Sequence, residues 1–289
     1  MSTTNQSFKP FTLRIKGENV TFSQPLVMGI LNVTPDSFYA GSRCDSSEKI
    51  EAKVKRLLDE NADIIDIGGY SSRPNASDVA PAEEFARLKA GIEAVHRHAP
   101  KAVISIDTFR ADVARRCVEE LGADIINDVS GGILDSEMFA TVAKLNVPYV
   151  LMHMRGDFTT MQSLTDYTNV TTEVIDYLAQ KIATLCDLGA TDVIADPGFG
   201  FSKTLDQNYE MMNHLERFHS LNVPLLVGIS RKSMIYKLLG CTPAEALNAT
   251  TVLNTISLAK GAHILRVHDV KAAVEARTIV MKTLSSTND

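Results

Sequence analysis

Asp107, Asn127 and Asp196 each stand at the end of a short apolar run: VISID (103–107), DIIND (124–128) and DVIAD (192–196). Arg73, Lys232, Arg266 and His268 occupy comparable points. A carboxylate at the end of a buried run favours a partner with paired N–H donors, such as the amidine-like edge of a heterocycle, and the asparagine adds donors of its own. Arg266-Val267-His268 precedes a helical pattern, where a guanidinium and free backbone N–H groups suit phosphate. These residue types describe a pocket for a polar small molecule, with an N–H-rich ring at one end and an anion at the other.

Taken singly, each residue has a plainer role. An isolated Asp at a strand end is more often a helix cap. Lys232 and Ser233 can simply open a helix, His153 reads as a core histidine with its ring hydrogen-bonded, and Arg231 reads as solvent-facing. Recurrence is what argues for a site. The first apolar run ends in Asn32, the second runs into Gly68-Gly69-Tyr70-Ser71-Ser72-Arg73, the fifth ends in Met152 and His153, and the seventh in Ser230-Arg231-Lys232-Ser233.

The elements that must deliver these side chains repeat. Strand candidates fall at 26–33, 63–68, 103–107, 124–128, 148–152, 192–196, 224–230 and 263–268. They are short, rich in Val and Ile and mostly not alternating, as expected of parallel strands covered on both faces. Helical patterns lie between them. Ile50, Val54, Leu57 and Leu58 form one stripe in 46–61, with Asp45 and Glu48 as its capping signal. Phe85, Leu88, Ile92 and Val95 share a face in 82–97, as do Ile175, Leu178, Ile182 and Leu185 in 170–188. Glycines in LGADIIND, LGATDVIAD and KGAHILRVH suit left-handed helix ends. Eight βα units predict a single (β/α)8 TIM barrel spanning residues 1–289, in preference to an open doubly wound sheet, because eight units close without remainder. An N-terminal β-hairpin is expected over about residues 11–23, turning at Lys16-Gly17-Glu18-Asn19 and covering the barrel bottom.

The 289-residue chain is 45% hydrophobic and 22% charged, with net charge −6, so no broad basic face for nucleic acid is expected. It contains no apolar run long enough to span a bilayer, and its first residues lack a signal peptide's apolar core. Cys44, Cys117, Cys186 and Cys241 form no CxxC and read as reduced thiols of a cytoplasmic protein.

Seven motifs, in order, resemble the dihydropteroate synthase family: GILNVTPDSF (29–38), DIIDIGGYSSRP (63–74), SIDTFR (105–110), IINDVSG (125–131), DPGFGF (196–201), SRKS (230–233) and RVHD (266–269). The resemblance runs from about residue 11 to 282 and implies a TIM barrel, usually a homodimer. It implies condensation of 6-hydroxymethyl-7,8-dihydropterin diphosphate with p-aminobenzoate, giving dihydropteroate and diphosphate with Mg²⁺, and inhibition by sulfonamides. By resemblance, Asp107, Asn127, Asp196, Lys232 and Met152 hold the pterin. Asn32 places diphosphate through Mg²⁺, and Arg73, Arg266 and His268 bind its oxygens. Pro35, Phe38, Ser72, Arg73, Phe201 and Ser233 form the p-aminobenzoate pocket. The catalytic set implied is Asn32, Lys232, Arg266 and His268, acting by position and charge with no covalent nucleophile.

The chain departs from the family pattern at Ala40 and Ser42, where Asp and Gly are usual, and at Tyr70 and Ser72, where an acid and Thr are commoner. These changes bear on loop closure, the Mg²⁺ environment and sulfonamide sensitivity. Two other functions share part of the pattern: a methyltetrahydrofolate-dependent methyltransferase and a non-catalytic pterin-binding paralogue. The segments SSRP, SRKS and RVHD favour the synthase, because a protein that only binds pterin has no use for diphosphate ligands.

Overall fold

The computed structural model describes residues 8–34, 43–70 and 79–286, with only the backbone described for 43–46. Pro35, Phe38, Ala40, Ser42, Ser72 and Arg73 lie outside the described residues. The chain opens with the antiparallel pair β1 (Phe11–Ile15) and β2 (Glu18–Phe22). Ile15 pairs with Glu18, so the turn is only Lys16-Gly17, with φ of 53° and 81°. Two consecutive positive φ values match strand twist in a two-residue hairpin, which draws Glu18 and Asn19 out of the expected turn and into the strand.

Eight parallel strands follow: β3 (Leu26–Asn32), β4 (Ile64–Gly68), β5 (Val103–Asp107), β6 (Ile125–Asp128), β7 (Tyr149–Met152), β8 (Val193–Asp196), β9 (Leu226–Val227) and β10 (Ile264–Val267). They run in the order β8-β7-β6-β5-β4-β3-β10-β9, and an Ala195–Leu225 bridge joins the two ends into a barrel. β9 is much shorter than the expected 224–230. The helices are α1 (Arg43–Asp59), α2 (Pro81–His98), α3 (Ala111–Leu121), α4 (Met138–Leu145), α5 (Val170–Asp187), α6 (Leu205–Asn213), α7 (Ser233–Leu239), α8 (Leu247–Ala259) and α9 (Val270–Ser285). α1 begins at Arg43, so Asp45 lies within it rather than capping it. The glycines expected at helix ends, Gly122, Gly189 and Gly261, all have positive φ.

Two apolar layers hold the fold. Outward-facing strand residues such as Val27, Leu31, Ile65, Ile67, Ile104 and Ile106 pack against the helices. Inward-facing Met28, Ile64, Ile125, Val150, Ile194, Leu226 and Ile264 fill the bottom of the barrel, where the hairpin's Phe11, Leu13 and Ile15 plug it. Those three hairpin side chains are buried, which contributes roughly 5–9 kcal/mol in total. The Arg14 backbone N–H donates to Asp192 Oδ2 at 2.6 Å, tying the plug to the foot of β8.

Candidate active site

An apolar bottom leaves the upper barrel for polar side chains, and strand register arranges them. Asn32 pairs laterally with Gly68, Gly68 with Asp107, and Asp107 with Asn127, a single row across β3 to β6. Gly68 keeps the row open: a methyl there would lie 3.2 Å from Asn32 Oδ1 and 3.7 Å from Asp107 Cβ. One level below, Asp66 and Ser105 are register partners. Asp66, fully buried, accepts from Ser105 Oγ at 2.6 Å, Asn127 Nδ2 at 3.1 Å and Arg266 Nε at 2.7 Å. Arg266 reaches in from β10 and donates through Nη2 to Asp107 at 2.6 Å. Asp66 is thus the hub of the floor. The motif reading missed it because it lies inside DIIDIG, two residues before the strand end.

The opposite wall is built by the turns after β8 and β9. Lys232 Nζ donates to the Phe199 carbonyl at 2.6 Å and lies 4.7 Å from the Phe201 ring centre. A side chain at Gly228 would sit about 4 Å from both Arg266 Cδ and Lys232 Nζ, so the two cations converge over that glycine. Asp196 accepts the Gly198 N–H at 2.8 Å, which turns the chain at the top of β8. Met152 forms an apolar wall with Val129, Met154 and Met161, against which Phe158 and Phe201 pack. Ser233 is the first residue of α7.

His268 Nδ1 lies 3.0 Å from Ser230 Oγ, and that oxygen also lies 3.2 Å from the His268 backbone N–H. Ser230 Oγ thus holds the ring through Nδ1, and Nε2 is the ring nitrogen left for a ligand. Arg231 is not solvent-facing as the sequence suggested. Its guanidinium makes two hydrogen bonds to Asp269, at 2.8 and 3.0 Å, and others to the Pro243 and Ala244 carbonyls. His153 is a core residue as expected, with Nδ1 3.0 Å from Lys203 Nζ. Asp128 faces the helix layer and accepts from Ser130 N, Gly132 N and Tyr149 Oη. Glu84, buried on α2, accepts from Thr108 Oγ1 and Arg110 and fixes the turn after Asp107. Nothing in the motifs marked it.

Burial sets the charge states. It pushes Asp107 up to about 7, against the pull of Arg266 and with the neighbouring charge of Asp66 adding to the rise. Asp196 is raised by the same cause, opposed first by Lys232. Burial brings Lys232 down to about 8, with Asp196 resisting. His268 falls to about 4, through burial and then the charge of Arg266, so it is neutral at physiological pH. Burial also works against the Arg266 cation, but Asp66 and Asp107 outweigh it and the guanidinium is held charged. Among the described residues, no cluster of three or more His, Cys, Asp or Glu side chains is arranged to hold a metal. A half-buried Asn32 oxygen at the mouth fits a different case, a hard cation carried largely by water and substrate phosphates.

This geometry, a TIM barrel with acceptors and cations gathered at the C-terminal ends of its strands, has counterparts of known activity. Residues 28–268 match the family model described as pterin binding enzyme. The dihydropteroate synthase of Escherichia coli (strain K12) is 41% identical over 273 residues, covering 94% of this chain and 96% of that protein. The Xanthomonas albilineans dihydropteroate synthase structure with 4-aminobenzoic acid superposes with a TM-score of 0.87 at 37% identity, covering 95% of this chain and 98% of that one. The Yersinia pestis dihydropteroate synthase structure in a sulfonamide drug complex gives a TM-score of 0.87 at 36% identity, covering 96% and 100%. The chain belongs to the pterin-binding enzyme family. Its place within that family is with the dihydropteroate synthases, transferases of a pterinylmethyl group in folate biosynthesis.

Proposed function

We propose that the barrel mouth of this chain binds 6-hydroxymethyl-7,8-dihydropterin diphosphate with the ring inward, and joins its methylene to p-aminobenzoate. The observation that carries this reading is the lateral row Asn32–Gly68–Asp107–Asn127, closed by Arg266 and Lys232 into one continuous surface of acceptors and cations. Asp107, Asn127 and Asp196 supply the acceptors for the pterin's N–H-rich edge, with Lys232 and the Met152 wall beside the ring. Arg266, His268 through its Nε2, Asn32 and Arg73 take the diphosphate. Phe201 and Ser233, with Pro35, Phe38, Ser72 and Arg73, take p-aminobenzoate, whose carboxylate meets the first turn of α7.

In the reaction, the methylene C–O bond breaks and diphosphate leaves with the electron pair. The arylamine nitrogen forms the new C–N bond and loses a proton. Arg266 and His268 stabilise the leaving oxygens, so this chain contributes position and charge rather than a nucleophile. Asn32 would hold Mg²⁺ accompanying the diphosphate, and such an ion would add charge neutralisation for the leaving group.

Sulfonamides occupy the p-aminobenzoate half in this reading, and bind well only once diphosphate is present. The whole chain acts as one domain. We assign it to the cytoplasm, supported by free thiols at Cys117, Cys186 and Cys241 and by helices of which none described is long and apolar enough to cross a membrane. A homodimer is supported by apolar side chains left exposed on α7, α8 and α9: Leu238, Leu239, Val252, Ile256 and Ile279. The test of the activity is incubation of the purified protein with the pterin diphosphate, p-aminobenzoate and Mg²⁺. Dihydropteroate and diphosphate should form in equal amounts, and folded protein that yields neither overturns the reading.

A further inference from the structure

Lys203 is a lysine almost fully shielded from water, and its amine is held by backbone carbonyls and a histidine ring rather than by a carboxylate. Its Nζ lies 3.0 Å from the Gly198 carbonyl, 2.9 Å from the Phe201 carbonyl and 3.0 Å from His153 Nδ1. His153 is itself fixed: its backbone N–H donates to the Asp196 carbonyl at 3.0 Å, and its ring packs edge-on to Tyr177 at 4.8 Å. A buried amine is costly without partners. A methionine of similar length would fill the same space without that cost, so the contribution of Lys203 lies in what its nitrogen orders.

What it orders is the segment 197–202. Gly198, Gly200 and Ser202 have φ of 70°, 82° and 52°, so the backbone reverses repeatedly. The carbonyls of Gly198 and Phe201 turn inward to Lys203, while that of Phe199 turns to Lys232 at 2.6 Å. Two lysines thus grip one segment from opposite sides. Asn208, in the first turn of α6, adds a further anchor by accepting the Gly200 N–H at 2.7 Å. The same segment carries the Gly198 N–H that orients Asp196, the carbonyl that holds Lys232 and the Phe201 ring.

We infer that Lys203 is a positioning residue for the pterin half of the site, acting through the backbone of residues 197–202 on Asp196 and Lys232. The inference rests on the pterin reading above, and the experiment separates the two. Calorimetry would measure the binding of unphosphorylated dihydropterin, and separately of diphosphate, to Lys203→Met, Asn208→Ala, Asp196→Asn and Leu13→Ala. Steady-state kinetics would accompany it. Leu13, in the hairpin plug, supplies destabilisation at the far end of the barrel. Lys203→Met should weaken pterin about tenfold or more and raise KM for the pterin substrate more than it lowers kcat, with diphosphate affinity kept. Asn208→Ala should show the same pattern at smaller size, and Leu13→Ala should lower Tm without either change. Pterin affinity unchanged in both Lys203→Met and Asn208→Ala overturns the inference, as does equal weakening of pterin and diphosphate. If Lys203→Met does not fold, Asn208→Ala decides alone. Pterin affinity unchanged in Asp196→Asn overturns the pterin reading itself.

Discussion

Replacing Asp66 by Asn changes the floor of the site with almost no change in shape. The carboxylate accepts from Ser105, Asn127 and Arg266. Asn127 and Arg266 donate to the same carboxylate oxygen, so an Asn side chain with its oxygen there keeps both bonds and turns its amino group to the Ser105 hydroxyl, which can rotate to accept it; what is lost is the charge opposite Arg266. Removing one member of a buried ion pair costs about 3–5 kcal/mol. Arg266 retains Asp107 as a counter-ion at 2.6 Å, which places the expected loss near the lower end, about 3 kcal/mol. For a chain of this size that corresponds to a fall in Tm of roughly 5 °C. The substitution also removes a like charge beside Asp107, whose carboxyl should then titrate lower. Differential scanning calorimetry gives the first quantity, and the pH dependence of dihydropterin binding gives the second. A Tm within about 2 °C of the parent would refute the hub assignment, and an unmoved acid limb would refute the coupling to Asp107.

Pterin binding should be strongest between pH about 7 and about 8, weakening below as Asp107 takes up a proton and above as Lys232 loses one; a calorimetric profile flat across that window would contradict the assignment. His263 has its pKa lowered to about 4, chiefly by burial, while its Nδ1 accepts the Leu225 N–H at 3.0 Å. Because the folded value lies below the unfolded one, its contribution is complete above pH about 6.5 and is lost as pH falls towards 4, up to about 3 kcal/mol. His263→Asn keeps an acceptor for Leu225 but cannot titrate, so urea denaturation of this variant should show a flatter loss of stability across that range. Gly68→Ala would press on Asn32 and Asp107 and should cut turnover on the order of tenfold, with a small change in Tm in a thermal melt.

The strand ends, and hence the row Asn32–Asp107–Asn127, were legible because each apolar run stops at a polar residue. Which residues face inward was not. In a parallel sheet covered on both faces the runs lose their alternation, so Asp66 and Ser105, each two residues below a strand end, looked like any other interior position. Counting back in twos from Gly68 and Asp107 would have found both, once a barrel was assumed. Lys203 and Arg231 were illegible for another reason. A lone cation in a polar segment reads as solvated, and only the folded backbone brings carbonyls or Asp269 to meet it. β9 ends at Val227, four residues before Arg231, whose φ of 54° marks the turn that leads into α7. The hairpin was legible as an element, with Phe11, Leu13 and Ile15 alternating with exposed residues, but its turn was read two residues too long, because Glu18 and Asn19 look like turn residues and pair as strand.

The central claim is that the barrel mouth is divided, with Asp196 serving the pterin ring and His268 the diphosphate. Separate calorimetric titrations of unphosphorylated dihydropterin and of Mg²⁺-diphosphate into Asp196→Asn and His268→Ala test it directly. The division predicts a crossed result: Asp196→Asn loses pterin affinity by about tenfold or more while keeping diphosphate, and His268→Ala does the reverse. Equal loss of both ligands in either variant, or pterin affinity unchanged in Asp196→Asn, would contradict it.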